Sequence, residues 1–311
     1  MKNLKSVWGW LGLLLGVTLL YLWTPDLDRQ TLSRRYDSPL AQTLEVDGLA
    51  IHYVDSGPRE APVLLLLHGF GSSLQTWDVW AQELQKKYRV IRLDLPGFGL
   101  TGASPVRNYS EQQDLQTLIH FVEKLQLRSF GMVGHSMGGK MAWALAAAEP
   151  SRVKALVLMA PDGFPTPDQI GTRPYAMPEV MGFIKFVLPT FLVRQSIEPA
   201  FENPKALSDA LVNRYADMLR APGVRQAILD RGQQTIYTDP VPRLKSIQAP
   251  TLLLWGAHDQ MIPSRNAQSY AAVLPNAQTR VLPQGGHLLQ EEKPEIALKV
   301  VEDFLATQGW R

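Results

Sequence analysis

Residues 131–140 read GMVGHSMGGK, and within them Gly134-His135-Ser136-Met137-Gly138 has the form G-x-S-x-G. The apolar run SFGMV stands before the motif and the alanine-rich MAWALAAA stands after it. That context predicts a strand handing over directly to a helix. So sharp a turn holds its central residue in a strained backbone conformation. A side chain two residues to either side would collide with the neighbouring strand or helix, so both positions are glycine. The turn lifts the Ser136 Oγ above the sheet at a helix N-terminus, whose dipole and free N–H groups favour developing negative charge. A glycine-rich phosphate turn is the competing reading. It wants more glycine ahead of the helix, or G-K-[ST], and Lys140 does not stand in that arrangement.

Outward from this turn, strand-like and helix-like segments alternate. PVLLLLHG, YRVIRLDLPG, SFGMVG, VKALVLMAP and PTLLLWG are short apolar runs, as expected of strands buried on both faces. Between them lie helical stretches. One of these is SEQQDLQTLIHFVEKLQL, where Ser110 and Gln113 form a capping box. TLEVDGLAIHYVDSG reads as a hairpin turning at Asp47-Gly48. The alternation predicts an α/β fold, with a mostly parallel sheet and helices on both faces. Residues 163–248 break the rhythm with many prolines and helical pieces such as PKALSDALVNRYADMLR. They are too long and too apolar for a loop and read as a helical cap inserted between two strands. The expected organisation is a membrane anchor at 1–25, a linker at 26–42, a core at 43–162 and 249–311, and the cap at 163–248.

The anchor rests on VWGWLGLLLGVTLLYLW, residues 7–23, which carries no charge and has Trp8, Trp10, Tyr21 and Trp23 near its ends. Seventeen residues is at the short end of what spans a bilayer as a helix, and rings at the ends suit the headgroup region. A cleaved signal peptide competes, but the turn after Leu20 offers no small-residue cleavage pattern. The basic residues are nearly balanced across the run, and a very short N-terminal tail that stays cytoplasmic would export the body of the protein.

The 311 residues carry a formal net charge of +2 and no long basic block, which argues against nucleic acid as a partner. The absence of cysteine excludes disulfides, thiolate catalysis and cysteine-bound metals.

A serine nucleophile needs a base, and the chain has six histidines. His52 lies in the hairpin and His120 inside an amphipathic helix. His68 closes a strand, and His135 adjoins the serine and is expected to turn away from it. His258 and His287 remain. In this architecture the order is serine, acid, histidine. His287 sits in VLPQGGHLLQEEKP, before the last helix, where Gly285 and Gly286 let the loop bend over the sheet edge. Asp259, in LLLWGAHDQMIP, is the preferred acid, and Asp162, in LMAPDGF, is its rival. An acyl-transfer site also needs N–H donors for the oxyanion. Met137 supplies one and Phe70, in HGFG at 68–71, the other.

HGFGSS, DLPGFGLTG, GHSMGG, the WGAHD loop and GGH together resemble the α/β-hydrolase-fold serine hydrolases over roughly residues 43–309. The apolar N-terminus and the Met-Gly-Gly after Ser136 are similar to membrane-bound monoacylglycerol-lipase-like members and bacterial esterases. The resemblance implies two-step hydrolysis of a small ester through an acyl-enzyme on Ser136, with no metal or organic cofactor. Phe164, Met177, Met181, Phe183, Phe186 and Phe191 are expected either to give the cap an apolar lining that suits an acyl chain or an aromatic group, or to pack the cap on itself; cap and anchor together point to a lipid-derived ester. Haloalkane dehalogenases and epoxide hydrolases of this fold carry aspartate where this chain has Ser136. Carbon–carbon bond hydrolases, acyltransferases and ligand-binding receptors of the same fold are the alternatives. The sequence gives no oligomeric state.

Overall fold

The computed structural model describes residues 22–308, apart from residues 167, 168, 172 and 175–177, together with residues 10, 13 and 16. The expected membrane helix at 7–23 therefore lies largely outside the described residues. Among the described residues no helix is long and apolar enough to cross a membrane.

Eight strands form one sheet: β1 (Ala41–Val46), β2 (Leu49–Ser56), β3 (Val63–Leu67), β4 (Arg89–Leu93), β5 (Phe130–His135), β6 (Val153–Met159), β7 (Thr251–Gly256) and β8 (Ala277–Leu282). Their order is β1-β2-β4-β3-β5-β6-β7-β8. Strand β2 pairs antiparallel with both β1 and β4, and every other pairing is parallel. At the β1–β2 turn Asp47 (φ 51°) and Gly48 (φ 82°) are both left-handed, the geometry a two-residue hairpin demands.

The apolar runs are explained by the two faces they cover. Leu65 and Leu67 join one core cluster, with Phe121, Trp143 and Tyr270. Leu64 and Leu66 join the other, with Trp77, Trp80 and Phe304. Neighbouring residues of a strand point to opposite faces, so a strand covered on both sides is apolar throughout. The alanines of the helix Met137–Ala148 let it lie close to the sheet, and Ala142, Ala144 and Ala146 are buried there.

Among the described residues between β6 and β7 no strand forms; the helices Thr190–Ile197, Asp209–Leu219 and Val224–Gln234 are the main elements. Part of this segment has its own small core of Val193, Ile197, Phe201, Val212 and Tyr215, which Leu288 of the C-terminal region enters.

Residues 26–42 depart from the expected linker. Asp28 accepts the Thr31 N–H and caps a helix, Arg29–Tyr36. Arg35 and Tyr36 both reach Asp217 of the cap at 2.8 Å, and Leu32 is fully buried. Just before this helix the chain is fastened to the cap. Thr24 N–H donates to the Phe186 carbonyl at 2.9 Å and Leu27 N–H to that of Arg220 at 2.8 Å. The Arg225 guanidinium meets the Asp26 carboxylate at 2.6 Å.

Candidate active site

Ser136 joins β5 to the helix Met137–Ala148 with φ 53° and ψ −120°. For a residue with a side chain this is a sparsely populated conformation that the surroundings must enforce. They do so through its backbone: Ser136 N–H donates to the Met159 carbonyl, and its carbonyl accepts from Lys140 and Asp162 N–H. A Cβ on Gly134 would stand 2.4 Å from the Gly138 carbonyl oxygen, and one on Gly138 2.4 Å from the carbonyl oxygens of Leu67 and His68. Both motif glycines are thus required by close backbone approach.

The loop after β3 lies against the serine. A Cβ on Gly69 would come within 3.2 Å of the Ser136 Cβ, and Phe70 and Ser136 line the same two cavities. Met137 is the first residue of its helix, where backbone N–H groups have no partner within the helix. The loop is braced by His68, which is completely buried. Its Nε2 accepts the Leu95 N–H at 3.0 Å, so Nδ1 carries the proton and donates to the Gly69 carbonyl at 2.7 Å. Burial lowers the pKa of this imidazole, consistent with a neutral ring.

His287 and Asp259 lie in direct contact. Asp259 Oδ2 lies 2.7 Å from His287 Nδ1. A carboxylate only accepts, so Nδ1 carries the proton and Nε2 is left free to accept. The other carboxylate oxygen accepts Met261 N–H at 2.9 Å and Ile262 N–H at 2.8 Å. Asp259 is therefore fixed before it meets the imidazole. Asp162, the rival acid, does not approach His287. Its N–H donates to the Ser136 carbonyl, its own carbonyl accepts from Trp143 and Tyr270, and it lines the second cavity described below.

His135, expected to turn away from Ser136, packs against His287. Its ring lies 4.5 Å from that of His287, and its Nε2 is 3.0 Å from the His287 carbonyl oxygen. Burial, reinforced by the neighbouring His287, holds its pKa well below the usual imidazole range. Sequence order shows no sign of this contact, because 152 residues separate the pair.

Two cavities meet at Ser136 and Phe70. One, of about 290 Å³, is lined by His135, Ile197, Ala200, Tyr215, Leu288 and His287. The other, of about 380 Å³, has apolar walls from Met137, Met141, Met181, Ile228 and Ile262, and charged groups from Lys140, Glu111, Arg231 and Asp114. These four are paired, Lys140 with Glu111 at 2.8 Å and Arg231 with Asp114, and Asp162 adds a further carboxylate to the lining. The expected apolar lining from the cap is corrected in part. Met181 lines the larger cavity, but Phe164 packs edge-on against Tyr270. Phe183, Phe186 and Phe191 are more than half exposed. Residues 179–185 form a 3-10 helix, whose three-residue turn places Val180, Phe183 and Phe186 along one outer edge. Met177 lies outside the described residues. Among the described residues no group of three or more histidines and carboxylates is arranged to hold a metal ion.

The sequence pattern of the alpha/beta hydrolase fold matches residues 62–294. Epoxide hydrolase 3 of Xenopus tropicalis is 28% identical over 282 residues, covering 83% of this chain and 75% of that protein. A putative lipase of Acinetobacter baumannii AYE superposes with TM-score 0.75 at 27% identity, covering 92% of this chain and 98% of that one. A membrane phospholipase A described as a bacterial virulence factor superposes with TM-score 0.71 at 25% identity, covering 99% of both chains.

Proposed function

The chain belongs to the alpha/beta hydrolase fold family, and from that premise we propose that it is a serine hydrolase cleaving carboxylic esters through an acyl-enzyme on Ser136. One observation carries the reading. His287, with Nδ1 held by Asp259 at 2.7 Å, lines the same cavity as Ser136. The alternative nucleophile of the fold, the aspartate attributed above to its epoxide hydrolases, is replaced by Ser136, so the likeness to epoxide hydrolase 3 does not carry that chemistry here.

In this mechanism the Ser136 Oγ attacks the ester carbonyl carbon while His287 Nε2 takes its proton. Asp259 keeps the imidazole in the tautomer that can accept and stabilises the cation that forms. The Phe70 and Met137 N–H groups hold the oxyanion. The C–O bond breaks, His287 returns the proton to the departing alkoxide, and the alcohol leaves. Water then attacks the acyl-enzyme, giving its proton to His287; the acyl C–Oγ bond breaks, His287 passes that proton to the Ser136 Oγ, and the acid is released.

Proton transfer also assigns the two cavities. The leaving oxygen must meet His287, so the alcohol portion occupies the 290 Å³ cavity that His287 lines. The acyl portion then occupies the 380 Å³ cavity, whose methionines and isoleucines suit an apolar chain. A lipid-derived acyl group accords with these walls and with the likeness to a lipase and a phospholipase. The apolar run at 7–23 and similarity to a membrane phospholipase along nearly the whole chain support a single-pass anchor.

Full-length protein in detergent is expected to hydrolyse p-nitrophenyl esters of graded acyl length and to lose this with Ser136→Ala. Equal turnover by the variant would reject the nucleophile. Carbon–carbon bond cleavage, transesterification to an added alcohol, or a stoichiometric burst without turnover would replace ester hydrolysis by one of the other activities.

A further inference from the structure

The loop that carries His287 is held from the cap rather than from the sheet alone. Four successive backbone N–H groups leave it. Gly285 N–H donates to Glu202 Oε2 at 2.6 Å and Gly286 N–H to Glu292 Oε2 at 2.8 Å. His287 and Leu288 N–H both donate to the Ala200 carbonyl, at 2.7 and 3.2 Å. Ala200 and Glu202 belong to the cap. Glu292 follows the loop and reaches back across it, accepting Glu202 N–H at 3.2 Å and Asn203 N–H at 2.9 Å. One carboxylate thus receives a donor from the base's loop and two from the cap. Charge-assisted bonds of this kind are stronger than neutral ones.

Steric fit agrees. A Cβ on Gly286 would stand 2.4 Å from the Ala200 carbonyl oxygen and 2.8 Å from Glu202 N. On its other side the loop rests on β7, where a Cβ on Gly256 would meet the carbonyl oxygens of Gly285 and Gly286 at 2.2 and 2.3 Å. The base is therefore clamped between the end of β7, which leads to its acid, and cap residues 200–203. The same cap segment faces the cavity, since Ser196, Ile197 and Ala200 line it beside His287.

The geometry points to Glu202 and Glu292 as positioning residues that make the seating of the cap part of the alignment of His287. The base is in register with Asp259 and Ser136 only while residues 200–203 are docked, and a group filling the 290 Å³ cavity bears on the segment that holds it. This rests on the serine-hydrolase reading above.

The test compares full-length protein with Glu292→Ala, Glu292→Gln and Glu202→Ala. The readouts are the rate at which a fluorophosphonate modifies Ser136, and kcat and KM on p-nitrophenyl butyrate. Glu292→Ala is expected to lower both the labelling rate and kcat by roughly tenfold or more with KM changed less than about twofold, as misalignment of a base predicts. Glu292→Gln keeps one acceptor oxygen and recovers most of that loss. Glu202→Ala removes the bond to Gly285 N–H and the 3.4 Å contact with His258 from a partly exposed side chain, and gives a smaller loss of the same kind. Thermal midpoints are read alongside; if Glu292→Ala does not fold, Glu202→Ala carries the test. Folded variants with unchanged kcat and labelling rate, or with KM alone raised, would overturn the inference. Wild-type protein whose Ser136 takes no fluorophosphonate would overturn the underlying reading first.

Discussion

Asp259 holds His287 through one carboxylate oxygen while its other oxygen is held by the Met261 and Ile262 N–H groups. Asp162, which sequence order alone also allowed, donates its N–H to the Ser136 carbonyl. Asp259→Asn is therefore expected to reduce kcat by about 10³-fold or more, because an amide can donate to Nδ1 and favour the wrong tautomer. Asp162→Asn should stay within a few-fold of wild type. Steady-state ester hydrolysis by the two purified variants checks the pair, and the reverse ranking would exchange their roles.

The backbone of Ser136, at φ 53° and ψ −120°, is one that glycine adopts without a Cβ penalty. Ser136→Gly is expected to abolish hydrolysis and at the same time to raise stability by about 1 kcal/mol. Denaturant midpoints of wild type and variant measure this, and a fall in stability would show that the elbow is not strained.

Gly138→Ala should behave in the opposite way. Its new Cβ would meet the Leu67 and His68 carbonyl oxygens at 2.4 Å, and backbone cannot move aside as a flexible side chain can. A loss of about 3 kcal/mol or failure to fold is expected, seen as a lowered thermal midpoint and as reduced soluble yield.

His52 is buried between two carboxylates, 2.7 Å from Asp94 and 2.9 Å from Asp37. Burial opposes its charge, but the hydrogen bonds and charges of Asp37 and Asp94 outweigh this and raise its pKa to about 9. A folded value above the ordinary 6.5 means that the stabilisation is complete below about pH 6.5 and is lost as pH rises through about 9. His52→Gln is expected to cost about 3 kcal/mol near neutrality, since it leaves buried carboxylates short of a partner. The gap to wild type should shrink between about pH 7 and pH 10. Urea unfolding at both pH values would show a constant gap if His52 were neutral in the folded protein.

What the sequence reveals of this protein follows from what its patterns encode. Apolar runs announce buried strands because burial on two faces leaves no polar position, and Leu64 to Leu67 illustrate this. Ser136, Gly134 and Gly138 are legible because one tight turn sets all three. The helix Arg29–Tyr36 is not, since only Leu32 is buried in it and its partner Asp217 lies about 180 residues away. Phe183 and Phe186 read like cavity lining until the three-residue turn that faces them outward is known. The His135–His287 contact, the Glu202–Gly285 bond and the bonds from Glu292 to residues 202 and 203 join residues 83 or more positions apart, and no local pattern records them.

The chain at Thr24, Asp26 and Leu27 is tied to the cap at Phe186, Arg225 and Arg220 before it enters the sheet at Ala41. In mechanical terms, a load applied at Trp23 is borne by the cap before it reaches β1.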